Sequence, residues 1–302
     1  MDTGHARIAV ILIAVLAIVG LTLIVPAPDP GPSESDSGCS QFSLTPVLFV
    51  HGSGLSSRSW HPMIRHFQSS GYPEAYLLAV ELEPNDGDNI RAAEEQITDA
   101  VQRLERAAET ASDRSGCSGA TPDRIAIVAH SMGSVSGRWY ATRIAPENVS
   151  ALITLAGSNH GTDELCELSG EGDAQMCPAF SDDEQRNRVQ TELNGTSSRP
   201  ADETPFGPGP DSDPSLSVRP DAERRILYVT VYLDPDRWIR PTKSALLDGA
   251  GLGTVATLPD GYDVVETAPG NYRFTGDTNH DELPEHPQIS RFVHLILTNW
   301  ID

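Results

Sequence analysis

The chain has 302 residues, an ordinary apolar share of 38% and a formal net charge of -22. Lys243 is its only lysine. So acidic a surface repels phosphate backbones and anionic head groups, which excludes nucleic acid as a partner and leaves a neutral substrate as the better fit.

Arg7 precedes an uncharged run from Ile8 to Val25. That run exceeds the ~7–15 residue core of a cleaved signal and just reaches spanning length, so residues 1–25 read as a signal peptide or a membrane anchor. Positive charge before it and acid after it, at Asp29, Glu34 and Asp36, put the rest of the chain outside the cytoplasm under either reading. Residues 26–42, rich in Pro, Ser, Gly and Asp, read as a flexible linker. About 260 residues follow, within reach of one α/β domain over 43–302 that buries a full core without needing metals or disulfides to fold.

Within that domain PVLFVHG (Pro46–Gly52) is an apolar run broken at glycine, a buried strand and its loop. AYLLAVEL (Ala75–Leu82) gives a second strand. Asn89 caps a helix in which Ile90, Ala93, Ile97, Val101, Leu104 and Ala108 recur at helical spacing. RIAIVAH (Arg124–His130), SALITLAG (Ser150–Gly157) and RRILYVTVY (Arg224–Tyr232) are further strands, with a weaker one near Tyr262–Thr267. Ile289, Phe292, Val293, Ile296, Leu297 and Trp300 mark a last helix. Continuous apolar strands alternating with amphipathic helices predict a mostly parallel central sheet with helices on both faces. Between Thr162 and Pro220 the rhythm fails. This acidic, Pro- and Gly-rich stretch, taken as 163–221, reads as an irregular insert over the loop end of the sheet.

Cys39, Cys117, Cys166 and Cys177 suit an exported protein, and no CxxC or His/Cys spacing marks a zinc site. Cys166 with Cys177 closes a short loop and is the favoured pair, which leaves Cys39 with Cys117. NDGDN (Asn85–Asn89) offers oxygen ligands but lacks the calcium-loop pattern, and GAGLG (Gly249–Gly253) reads as a turn. Asn148 and Asn194 head glycosylation sequons.

The chemistry centres on AHSMG (Ala129–Gly133). A serine between a strand and a helix, with small residues two before and two after, is a nucleophile elbow, and here Ala129 stands where glycine is usual. A serine hydroxyl needs a base, and the base an orienting acid, in the chain order Ser, acid, His. Asp234 and Asp236 follow the fifth strand, and His280 and His286 precede the last helix. His280, in a polar loop, is favoured over His286, which is wedged beside Pro287. Two backbone N–H donors should stabilise an oxyanion: that of Met132, just after the serine, and that of Ser53, in VHGSG. His51 orders this loop rather than titrating in catalysis.

Read together, PVLFVHGSG, IVAHSMGS, LITLAGSNHGT, DETP, ILYVTVYLDPDRWIRP, SALLDGA and GDTNH resemble the class 2 lipases of the α/β-hydrolase fold, which include small secreted triacylglycerol lipases. The match covers most of residues 45–300. The resemblance implies Ser131 as nucleophile, Asp236 as acid, His280 as base, and Ser53 and Met132 as oxyanion donors. The spacing within ILYVTVYLDPD agrees in favouring Asp236 over Asp234. With the N-terminal run and the acidic charge, the resemblance further implies a secreted or tethered esterase or lipase without cofactor or metal, acting as a monomer on a neutral ester or lipid. Secreted polyhydroxyalkanoate depolymerases with an Ala-type elbow are the nearest competing resemblance. Acyl transfer to an alcohol other than water would use the same residues. A non-catalytic binding protein on this scaffold would not need the complete set.

Overall fold

The computed structural model describes residues 38–183, 187–207, 225–251 and 261–299. The apolar run Ile8–Val25 and the Trp300 position lie outside them, as do the latter part of the insert and of GAGLG. Among the described residues no helix is long and apolar enough to cross a membrane.

Strands β1 (Val47–Val50), β2 (Leu77–Val80), β3 (Ile125–His130), β4 (Val149–Leu155), β7 (Leu227–Tyr232), β8 (Val264–Ala268) and β9 (Asn271–Phe274) form one seven-stranded sheet in the order β2-β1-β3-β4-β7-β9-β8. Every pairing is parallel except β8 with β9, at the edge. A separate two-stranded ladder joins β5 (Gly195–Thr196) to β6 (Arg199–Pro200). The central strands read as unbroken apolar runs because both faces are covered. On one face Val47, Phe49, Val128 and Ile153 pack with Met63 and Phe67 of helix α1 (His61–Ser69) and with Ile289, Phe292 and Ile296 of the last helix, Pro287–Asn299. On the other face Leu48, Val50, Ile127 and Leu152 meet Val101 and Leu104 of helix α2 (Thr98–Arg114) and Val135 and Trp139 of helix α3 (Gly133–Trp139). This is an α/β-hydrolase fold.

Register places the loops that matter. Val50 lies opposite Ala129, so the chain leaving β1 and the chain leaving β3 run side by side. Leu155 pairs with both His130 and Val231, which brings the ends of β3, β4 and β7 to one edge. Parallel sheets build their sites at that carboxyl edge.

Cys39 is bonded to Cys117, with Cα atoms 5.6 Å apart, and Cys166 to Cys177, at 5.0 Å. The first bridge spans 78 residues, a closure that stabilises by about 4.5 kcal/mol in the chain-entropy picture. Such bonds belong to oxidising compartments. The described part of the insert is more ordered than its composition implies. It carries short helix α4 (Glu171–Ala174) and helix α5 (Arg188–Asn194), and buries Leu165, Met176, Val189 and Leu193 against the α2/α3 side of the core. Arg138, wholly buried, donates to the Asn194 side chain and to the Asn159 carbonyl. The half-buried Asn194 amide nitrogen donates to the Asn159 carbonyl at 2.9 Å and to Gln190 Oε1 at 2.8 Å, so both of its hydrogens are committed to the fold rather than presented to a glycan.

Candidate active site

Beyond β3 the chain reverses at Ser131, whose φ of 53° lies in the left-handed region, where a non-glycine residue is strained. The Ser131 N–H donates to the Leu155 carbonyl at 3.0 Å, so the end of β4 anchors the turn. Its flanks must be small. A Cβ at Gly133 would meet the Val50 carbonyl oxygen at 2.8 Å. Ala129 is tolerated because Gly137 lies opposite, where an added Cβ would stand 3.4 Å from the alanine methyl.

Ser131, Asp236 and His280 are 8%, 3% and 4% exposed. His280 Nε2 lies 2.9 Å from Ser131 Oγ, and His280 Nδ1 lies 3.0 Å from each carboxylate oxygen of Asp236. A carboxylate only accepts, so Nδ1 carries the hydrogen and Nε2 presents its lone pair to the serine hydroxyl. The backbone N–H groups of Trp238 and Ile239 donate to Asp236 Oδ1 at 2.7 and 3.0 Å, which fixes the carboxylate. The alternatives stand elsewhere. Asp234 is exposed, and its only hydrogen bond among the described residues comes from Thr242 Oγ1 at 3.5 Å. His286 accepts the Gln288 N–H at the start of the last helix, with its ring against Phe274.

The loop after β1 approaches this group closely. A Cβ at Gly52 would stand 2.7 Å from Ser131 Cβ, so only glycine fits there. The Ser53 and Met132 amide N–H groups have no hydrogen-bond acceptor among the described residues, which leaves both available to an oxyanion. His51 pins the loop from beneath. Its Nδ1–H donates to the Gly52 carbonyl at 2.9 Å and its Nε2 accepts the Leu82 N–H at 3.0 Å.

That accepting Nε2 requires a neutral ring, and burial, the largest influence, holds the His51 pKa below its ordinary 6.5 against the Gly52 bond and Glu81. The unfolded chain takes up this proton near pH 6.5 and the fold refuses it. The stability contribution is therefore complete above that pH and lost as pH falls toward the folded value, by up to about 1.4 kcal/mol per pH unit. Thermal unfolding followed from pH 7.5 to 5 should show Tm falling more steeply in the native protein than in His51→Gln. Equal slopes would remove His51 as the cause.

Sequence reasoning expected the insert over the loop end of the sheet and passed over two features, Asp173 and His130. The Cys166–Cys177 loop lies directly on the oxyanion side. The Gly172 N–H donates to the Asp86 carbonyl at 2.8 Å, and a Cβ at Gly172 would stand 2.7 Å from Met132 Sδ. Next to it Asp173, 4% exposed, faces the Ser53 side chain, and burial raises its carboxyl pKa. The second is His130, whose ring packs on His280. The NDGDN loop is spent on structure: Asp88 Oδ1 accepts the Arg91 N–H, and Asn89 is tied to Gly172 and Gln175. No cluster of three His, Cys, Asp or Glu converges to hold a metal among the described residues.

No curated protein matches the chain. Among solved structures, the mature lipase BlEst2 of Bacillus licheniformis is 16% identical, with 91% of this chain and 95% of that one covered and a TM-score of 0.47. Naproxen esterase (carboxylesterase NP) of Bacillus subtilis is 14% identical over 84% of each chain, with a TM-score of 0.45. Lipase B of Aspergillus fumigatus is 14% identical with a TM-score of 0.45, and 68% of this chain covers only 42% of it. Likenesses this remote say nothing of substrate. The family evidence is separate: residues 47–288 match the alpha/beta hydrolase family model, a span that runs from the first strand to the start of the last helix. The chain belongs to the α/β-hydrolase family.

Proposed function

We propose that this protein is a serine-dependent carboxylic ester hydrolase, an exported esterase or lipase of the class 2 type that acts on neutral acyl esters. One observation carries the reading: the buried hydrogen-bonded chain from Ser131 Oγ through His280 to Asp236, at 2.9 and 3.0 Å. A serine so paired can lose its proton as it attacks a carbonyl. Ser131 Oγ bonds to the ester carbonyl carbon while its proton passes to His280 Nε2. The carbonyl oxygen becomes an oxyanion, held by the Ser53 and Met132 N–H groups. As the tetrahedral centre collapses, the ester C–O bond breaks and the alcohol leaves with the proton from His280. Water, deprotonated by the same imidazole, then releases the acid from the acyl-enzyme. The acidic surface favours uncharged substrates, and the disulfides favour an extracytoplasmic setting.

Hydrolysis measured across a neutral series, from small acetates to long-chain triglyceride and polyester film, tests this directly. Turnover of at least one class is expected. A folded protein inert toward every ester in the series would overturn the reading.

The Cys166–Cys177 loop borders Met132, so we assign it a part in acyl selection rather than in chemistry. In the Cys166→Ser, Cys177→Ser double variant the ratio of long-chain to acetate turnover should shift by several-fold, with acetate hydrolysis itself little changed. Proportional change in both rates, or none in either, would leave the loop no such part.

A further inference from the structure

His130 is fully buried at the end of β3, immediately before the nucleophile turn. Its Nε2 lies 2.9 Å from the His280 carbonyl oxygen. A carbonyl accepts, so Nε2 carries the hydrogen and Nδ1 is bare. Nδ1 has no hydrogen-bond partner among the described residues. It points instead at Gly52, where an added Cβ would stand 3.2 Å away. The His130 and His280 rings lie 4.8 Å apart, centre to centre, at an interplanar angle of 49°. One imidazole therefore touches the nucleophile turn, the loop after β1 and the loop that carries His280.

The His280 loop is braced further along by the Glu282 N–H on Asn279 Oδ1 at 3.1 Å and by buried Leu283, but among the described residues the His280 carbonyl itself receives, besides His130, only the Leu283 N–H, at 3.4 Å. Asp236 and Ser131 hold the imidazole tip, and at the His280 carbonyl behind it the bond from His130, at 2.9 Å, is the shorter of the two. The neighbour must also stay uncharged, because the His280 ring becomes an imidazolium with each proton it takes from Ser131. Burial, with His280 adding to it, keeps the His130 pKa well below 6.5.

We propose that His130 is a positioning residue of the hydrolytic reaction, its Nε2–H fixing the His280 main chain and its neutral ring seating the His280 imidazole between Ser131 and Asp236. This rests on His280 being the general base.

The tests are His130→Phe, which keeps a ring without a donor, and His130→Gln, which keeps an N–H at similar reach. Steady-state hydrolysis of a small neutral ester gives kcat and KM, and covalent capture of Ser131 by a fluorophosphonate reads the serine–imidazole pair without a leaving alcohol. Misplacement of a catalytic group by about 1 Å costs about 100-fold in rate. His130→Phe should lose about that factor in kcat and in labelling rate with KM within about twofold, and His130→Gln should recover most of it. Should the Phe variant fail to fold, His130→Asn, whose shorter amide cannot reach the carbonyl, takes its place and should fall well below Gln. Retention of kcat within about twofold by the donor-free variant would overturn the proposal. So would equal loss in Gln and the donor-free variant, which marks a packing role only. A native protein that neither hydrolyses the ester nor takes the label fails at the level of the hydrolase reading, and His130 falls with it.

Discussion

Replacing Ser131 by alanine is expected to lower ester hydrolysis by about 10⁴- to 10⁶-fold, the range lost when a triad serine is removed and only binding and oxyanion stabilisation remain. The fold should be unaffected. Among the described residues the hydroxyl's one side-chain partner is His280, and the turn is held by main-chain bonds from Ser131 N to Leu155 and from Ser134 N to Ser131. Alanine adopts the left-handed φ at the same cost as serine. Initial rates on the best substrate of the neutral series, beside an unchanged Tm, check both halves. Retention of more than about a tenth of the native rate would end the serine-nucleophile reading.

Asp236→Asn should cost on the order of 10⁴ in kcat, as loss of the orienting carboxylate does in serine proteases. An asparagine still accepts the Trp238 and Ile239 N–H groups through Oδ1, so the loop is preserved. What changes is the proton. The new amide donates to Nδ1, the hydrogen moves to Nε2, and the lone pair that faced Ser131 is gone. Asp234→Asn touches an exposed group whose contact is a 3.5 Å bond from Thr242, and the rate should stay within about twofold of native. The two variants, assayed side by side for kcat, separate the candidates. The reverse order of effects would transfer the acid role to Asp234.

Much of the frame was legible because buried parallel strands announce themselves. β1, β3, β4 and β7 are apolar at almost every position, since helices cover both faces. The elbow was legible for a related reason: a turn this tight tolerates only small flanks, and Ala129 and Gly133 are small. Helix α1 was not, because it fully buries only Met63 and Phe67, with Ile64 partly buried beside them, and is opened by His61-Pro62. Strand β9 has four residues, too few for a period to declare itself, and the strand expected near Tyr262–Thr267 is the edge strand paired to it. The insert's acidic composition concealed four apolar residues, Leu165, Met176, Val189 and Leu193, that dock it to the core. Asp234 and Asp236 share one loop, and only folding buries one and exposes the other. His130 stood in the motif, yet a histidine reveals a role like this only through what its two nitrogens face.

The most direct test of the central claim is covalent labelling of the purified protein with a fluorophosphonate, followed by peptide mapping. One adduct, on the peptide containing Ser131, is expected, with ester hydrolysis lost in step with labelling and no adduct in Ser131→Ala. Undiminished hydrolysis without an adduct, or an adduct on another residue that tracks the loss of activity, would contradict the account.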